Sequence, residues 1–383
     1  LNCSPDSTGR QAGARSCTIA TFLLVCLAGL AAAGFGPPVI TDGRPGGLRL
    51  YPEHIRAAHA LARPPEVTAA AALVVDLDAG QALYSRRPAE PWPPASTAKL
   101  MTALVVVRHA DIRRQVVVSA RAAGTPGSRM GLTAGETLTV RDLLYGLLLP
   151  SGNDAAVALA EHVAGSEAAF VGLMNETAAG LGLQGTRFAN AHGSDAPGQV
   201  TTAADLVILA QAVLADPLLS QIVATPSAQV GGRTLANTNE LLGAYPRVDG
   251  VKTGTTDAAG ECLVVSVTRE GHRLVAVVLG SRDRYADARR LLDFALAGWQ
   301  WHNTGLPDNA LAWTIGPDGV AYRLRSVATS DLFLPRWQWT LVQPVRSLDA
   351  AAVLTGTLPV GTLTWTFAGQ PLAATPLTVW PGP

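Results

Sequence analysis

Two strand-like regions far apart in the chain limit what it can fold into. Residues 68–83 carry the apolar run ALVVDLD, then Ala-Gly and QALYS, a pattern expected of a β-hairpin. Residues 260–268 and 272–280 alternate or run apolar on either side of Arg-Glu-Gly and read as a second hairpin. A lone hairpin is marginal in water. The two must therefore share one sheet, although most of a domain separates them. The intervening sequence is helical in period: a helix is expected from about Ser96 through STAKLMTALVVVRHA, after Pro91-Trp92-Pro93-Pro94 forbids one. Further helical patterns cover residues 140–149, 154–163, 167–181 and 203–214, and a last one runs over 285–301. Strands at both ends and helices between them give an α+β class, with an expected first folded domain over 66–302.

Beyond Asn303 the helical period is lost. Short runs such as LTWTF, closely spaced turn signals and five of the eight Trp point to a small all-β module, a β-sandwich over 303–383. Residues 37–65 are rich in Pro and Gly and read as a linker. No charge occurs from Ser16 to Ile40, and the apolar stretch 17–35 follows Arg10 and Arg15. Residues 1–36 are thus expected to be a cleaved export signal or a retained N-terminal membrane anchor, and either places the remainder outside the cytoplasm. The chain's closing Trp380-Pro-Gly-Pro directly follows the β module, so any expectation of membrane attachment rests on that N-terminal segment. Three of the four Cys lie in or before it, which leaves Cys262 alone in the body, with no internal disulfide.

Charge decides the next step. With 29 basic and 29 acidic residues among 383, no global field draws in nucleic acid. Of the basic residues only two are Lys, Lys99 and Lys252. Arg and Lys serve equally as solvated charge, but only Lys readily loses its proton when buried. Both positions are therefore candidates for chemistry.

Lys99 stands in Ser96-Thr-Ala-Lys99 at an expected helix start, where residues three apart share one face. A helix N-terminus favours an oxyanion near Ser96, and a buried Lys beside another cation can act as base for its hydroxyl. Ser151-Gly152-Asn153 opens another helix, a place where Ser and Asn also serve as plain caps. Lys252-Thr253-Gly254-Thr255 is expected just before a strand: Gly lets a ligand approach the backbone, and hydroxyls with an ammonium can hold a carboxylate. Each motif alone is weak. In this order, with 55 residues from Ser96 to Ser151 and 101 from Ser151 to Lys252, they are similar to the active-site set of penicillin-recognising serine enzymes.

Within that group the chain resembles the low-molecular-mass penicillin-binding proteins that are serine D-alanyl-D-alanine carboxypeptidases, peptidase family S11. The resembling stretches include PASTAKLMTAL, LLYGLLLPSGNDAAVALAEHVAGS, FANAHGSDAPGQVTTAADL and LANTNELLGAYPRVDGVKTGTTDAAGECLV, within about residues 66–300. The resemblance implies a β-lactamase/transpeptidase-like catalytic domain, an antiparallel sheet flanked by helices, followed by a small all-β domain. It implies that Ser96 attacks the bond between the terminal D-alanines of a peptidoglycan stem peptide, with Lys99 as base. Ser151 would relay the proton to the leaving D-alanine, and Asn153 would hold a substrate amide and orient Lys99. Lys252 would supply positive potential, and the N–H groups of Ser96 and Thr255 would form the oxyanion hole. Thr253, Gly254, Thr255 and Arg284 would line the subsite for the terminal carboxylate, although Arg282 lies two residues away. β-Lactam antibiotics are the implied inhibitors.

Neither metal nor cofactor is expected. The seven His form no His-x-x-x-His pair and the Cys do not cluster, so a zinc carboxypeptidase is unsupported. His192, in Ala-His-Gly, is expected to serve through structural hydrogen bonds. Competing readings are a DD-endopeptidase, a serine β-lactamase and a non-catalytic wall-binding scaffold. Class A β-lactamases need a Glu with Asn four residues on, whereas Glu161, Glu167, Glu176 and Glu240 are followed there by Gly165, Val171, Gly180 and Ala244.

Overall fold

The computed structural model describes residues 63–380, except 357 and 368. The expected export segment, and the expected linker up to residue 62, lie outside the described residues. Both hairpins form and share one antiparallel sheet. Its order is Gln81–Arg86, Ala71–Asp76, His272–Ser281, Gly260–Arg269, Val248–Thr256. The two-residue side-chain period of a strand explains how this sheet separates two cores. Cys262 and Val264 face a cluster with Leu100, Met101, Leu104, Leu147, Leu159 and Phe170. Leu263, Val265 and Val267 face the other way, against Leu291, Leu292 and Ala295 of the helix Arg284–Gly298.

The helix Lys99–His109 is buried on every side over its first eight residues, as a helix at the centre of a helical layer must be. Around it lie Val140–Leu148, Asn153–Ala164, Glu167–Gly180 and Ala203–Ala215, close to the expected limits. Capping supports these ends. Thr139 and Asp142 form a reciprocal capping box, and the Thr202 hydroxyl accepts from the Asp205 N–H.

Two expectations need correction. The helix expected over 285–301 ends at Gly298, and Trp299–Asn303 is a strand paired with Asp331–Pro335. Tertiary contacts override the helical period here. Trp301 donates from Nε1 to Asp76 at 3.1 Å, stacks on His272 and meets the Phe333 ring at a tilt. Lys252 lies inside the strand Val248–Thr256, rather than just before a strand, because the Lys-Thr-Gly run pairs along its length with Gly260–Arg269.

The strand-rich region that follows contains a five-stranded antiparallel sheet. Its order is Trp313–Ile315, Ala321–Ser326, Gln370–Val379, Gly361–Phe367, Gln343–Leu348. A small core of Leu324, Val353, Val360, Leu363, Trp365 and Leu377 packs on it.

Candidate active site

Ser96 lies in a 3₁₀ turn, Ala95–Ala98, set against the start of the Lys99–His109 helix. The Thr97 hydroxyl donates to the Pro94 carbonyl at 2.6 Å and closes the turn. Lys99 is fully buried. Its Nζ donates to Ser96 Oγ at 2.8 Å and to the His192 carbonyl at 2.6 Å. One helical turn on, the Thr102 hydroxyl donates to the Ala191 carbonyl at 2.5 Å, so the same helix face holds the 191–192 backbone twice.

Burial holds the Lys99 amine well below its ordinary range, and the Lys252 charge adds to this against an opposing pull from Asp154. Lys252 is also buried. Desolvation, then the Arg284 charge, lower it to about 7. Its Nζ donates to the Thr253 carbonyl at 3.1 Å. The two Lys of the chain are thus both dehydrated, and Lys252 acts electrostatically on Lys99.

Ser151 adopts φ 64°, a left-handed conformation uncommon for a residue with a Cβ. Its Oγ is buried without a hydrogen-bond partner among the described residues, so its bonding capacity is available to a ligand. Asn153 begins the next helix and donates from Nδ2 to the Pro126 carbonyl at 2.7 Å. The hydrogen bonds of Lys99 Nζ thus go to Ser96 Oγ and the His192 carbonyl, and that of Asn153 Nδ2 to the Pro126 carbonyl.

The strand Val248–Thr256 forms the edge of the large sheet and packs on the Ser96 turn. A Cβ at Gly254 would come within 2.8 Å of the Ser96 nitrogen and 3.1 Å of the Thr97 nitrogen. Glycine is required there for strand and turn to touch. Thr253 shares a hydrogen bond of 2.6 Å with Thr238, while Thr255 is exposed. Arg284 is buried, donating from Nη1 to the Gly254 and Cys262 carbonyls at 2.9 and 3.1 Å and from Nη2 to the Thr255 hydroxyl. Arg282 is exposed. The structure therefore brings Ser96, Lys99, Thr253, Gly254, Thr255 and Arg284 to one sheet edge and the turn against it. Asn153 and Ser151 are presented by the helical layer.

Three supporting groups escaped sequence reasoning. Asp154, fully buried, accepts from the N–H groups of Met130, Gly131, Leu132 and Ala155 and so holds the 130–132 loop against its helix. Glu167 accepts from the Ala191 N–H at 3.1 Å, lies 3.5 Å from His192 Nε2 and pairs with Arg121 at 2.7 Å. Glu261 pairs with Arg284. The available signal was the placement of acids within the motif stretches, which names no partner. Among the described residues, no three His, Cys, Asp or Glu side chains converge as a metal-binding group.

An ordered nucleophile, a dehydrated amine beside it and a cationic sheet edge suit acyl transfer through a serine ester. The model of the D-alanyl-D-alanine carboxypeptidase family, peptidase S11, matches residues 58–283. The chain belongs to this family. Among S11 relatives, the D-alanyl-D-alanine carboxypeptidase DacF of Bacillus subtilis is 37% identical over 247 residues, which are 61% of this chain and 64% of that protein. The match thus spans less than two thirds of that relative's length. DacC of Escherichia coli is 34% identical over 360 residues, 87% of this chain and 88% of its own. The crystal structure of penicillin binding protein 6B from Escherichia coli superposes with a TM-score of 0.66 at 31% identity, covering 82% of this chain and 96% of that one. The S11 chain described here accordingly has the transpeptidase-like α+β fold followed by a strand-rich region.

Proposed function

We propose that the protein is a serine DD-carboxypeptidase. It removes the terminal D-alanine from pentapeptide stems of peptidoglycan and is acylated by penicillins at the same serine. The observation that carries this reading is the 2.8 Å approach of Lys99 Nζ to Ser96 Oγ, with the amine buried and its proton affinity depressed. A neutral Lys99 takes the Ser96 proton as Oγ attacks the carbonyl carbon between the two terminal D-alanines. Negative charge develops on the carbonyl oxygen, and the backbone N–H groups of Ser96 and Thr255 are the donors assigned to it. The C–N bond then breaks. A proton passes through the Ser151 hydroxyl to the departing amine, which accounts for a buried hydroxyl with spare bonding capacity. Water cleaves the Ser96 ester, regenerating the hydroxyl and releasing a stem shortened by one residue.

Asn153 is assigned to a substrate amide. Lys252, Thr253, Gly254, Thr255 and Arg284 are assigned to the strand-edge subsite for the terminal carboxylate. An edge strand offers unpaired backbone groups to an extended peptide, which suits this assignment. The reaction is placed outside the cytoplasm, delivered by residues 1–36 as a signal or anchor.

The deciding experiment incubates the protein with a pentapeptide muropeptide and weighs the products. Loss of a single D-alanine is expected. Unchanged mass supports an inert scaffold, and cleavage of a cross-linked dimer instead supports an endopeptidase. A labelled penicillin should remain on Ser96, and turnover of the label within seconds would mark a β-lactamase.

A further inference from the structure

Arg284 makes all but one of its guanidinium hydrogen bonds to the protein itself. Nη1 spends both hydrogens on the Gly254 and Cys262 carbonyls, and Nη2 spends one on the Thr255 hydroxyl. Nε donates to Glu261 Oε2 at 3.2 Å, and the same oxygen accepts the Arg284 backbone N–H at 2.9 Å. The second Nη2 hydrogen has no partner among the described residues. Glu261 stands directly across the strand pair from Thr255, so Arg284 bridges the two side chains. The pairing register shifts immediately after Glu261, between it and Leu263, and such a bulge re-aims the side chains beside it. Oε1 of Glu261 has no hydrogen-bond partner among the described residues, and its side chain is 39% exposed, against 9% for Arg284. Arg284 hydrogen bonds, the backbone one first, hold the Glu261 carboxyl below the usual carboxylate range, so it is charged at neutral pH.

We propose that Glu261 is a positioning residue for the carboxylate subsite. By gripping the Nε and backbone N–H of Arg284, it turns the free Nη2 hydrogen and the Thr255 hydroxyl toward one ligand carboxylate. This rests on the assignment of Arg284 and Thr255 to the substrate's C-terminus. A guanidinium with a fixed plane recognises a planar carboxylate by geometry as well as charge, and a loose one keeps only the charge.

The test measures binding in the Ser96→Ala full-length protein, so that chemistry does not intervene, while D-alanine release by the unaltered protein tests the carboxypeptidase reading separately. The probes are diacetyl-L-lysyl-D-alanyl-D-alanine and its C-terminal carboxamide. With Glu261 present, the carboxylate should bind more tightly than the carboxamide. Glu261→Ala should weaken the carboxylate about tenfold and leave the carboxamide within about twofold. Glu261→Gln keeps an acceptor oxygen and should restore binding to within about twofold. In an Arg284→Ala background, Glu261→Ala should have no further effect, because its action passes through that guanidinium. Equal weakening of both probes, additive losses with Arg284→Ala, or no preference for the carboxylate at the outset would each overturn the proposal.

Discussion

Lys99 Nζ lies 2.8 Å from Ser96 Oγ, and the amine is shut off from water. The helix offers this spacing to any Ser and Lys three residues apart. The burial changes the chemistry, because dehydration favours the neutral amine that can take a proton. Lys99→Arg should lower penicillin acylation by about 10³-fold, since a guanidinium keeps the charge but cannot serve as base. Ser96→Ala should take no label while unfolding at a temperature close to that of the unaltered protein. Labelling of Ser96→Ala, or D-alanine release by Lys99→Arg, would remove the assigned roles.

The acylation rate should be bell-shaped in pH. It rises as Lys99 loses its proton and falls as Lys252, lowered to about 7, loses the charge that attracts a carboxylate. Arg284 is the second cause of the Lys252 shift, so Arg284→Ala should move the alkaline limb to higher pH. An alkaline limb at the same pH in this variant would show that Lys252 does not govern it.

Burial of Lys252 also implies a stability trade. Between about 7 and its ordinary 10.5, the unfolded chain binds more protons at this position than the folded one, so stability rises with pH across that window. Well below 7, where both states hold the proton, the full penalty of a buried ammonium applies. Lys252→Met should therefore raise the unfolding temperature, by more at pH 6 than at pH 10, while acylation falls. Destabilisation at pH 6 would contradict a desolvated charge as the origin of the shift.

Gly254→Ala tests the contact between sheet edge and nucleophile. The added methyl would meet the Ser96 and Thr97 nitrogens and the Ala95 Cβ, so the turn bearing the assigned oxyanion donor must shift. Acylation should fall by about 10²-fold with little change in unfolding temperature. A rate within about threefold of the original would show that the turn tolerates the shift.

Asp154→Ala would leave the N–H groups of Met130, Gly131, Leu132 and Ala155 without their acceptor. A loss of about 3 kcal/mol in denaturant unfolding is expected. Acylation should fall as well, because the adjoining loop carries the Pro126 carbonyl that holds Asn153. A loss under about 1 kcal/mol would mean that water replaces the carboxylate.

Much of this molecule could be read from residue order. Period and turn residues located the two hairpins and the main helices, and the spacing of Ser96, Ser151 and Lys252 pointed to the chemistry. The strand at Trp299–Asn303 was not legible, because its apolar pattern also fits a helix. Pairing with Asp331–Pro335 and the Trp301–Asp76 hydrogen bond decide between them. The partners of the acids were hidden for the same reason: Glu167 meets Ala191 and His192, and Asp154 meets Met130, across intervening segments.

The sequence by itself determined which groups are available, above all that the chain's two Lys stand in the first and third motifs. Tertiary structure alone decided what those groups are. Packing removed water from both ammonium groups, brought the His192 carbonyl to Lys99 and selected Arg284 over Arg282 for the strand edge. Proton affinity depends on hydration and on neighbouring charge, and the folded chain sets both through contacts between residues distant in sequence.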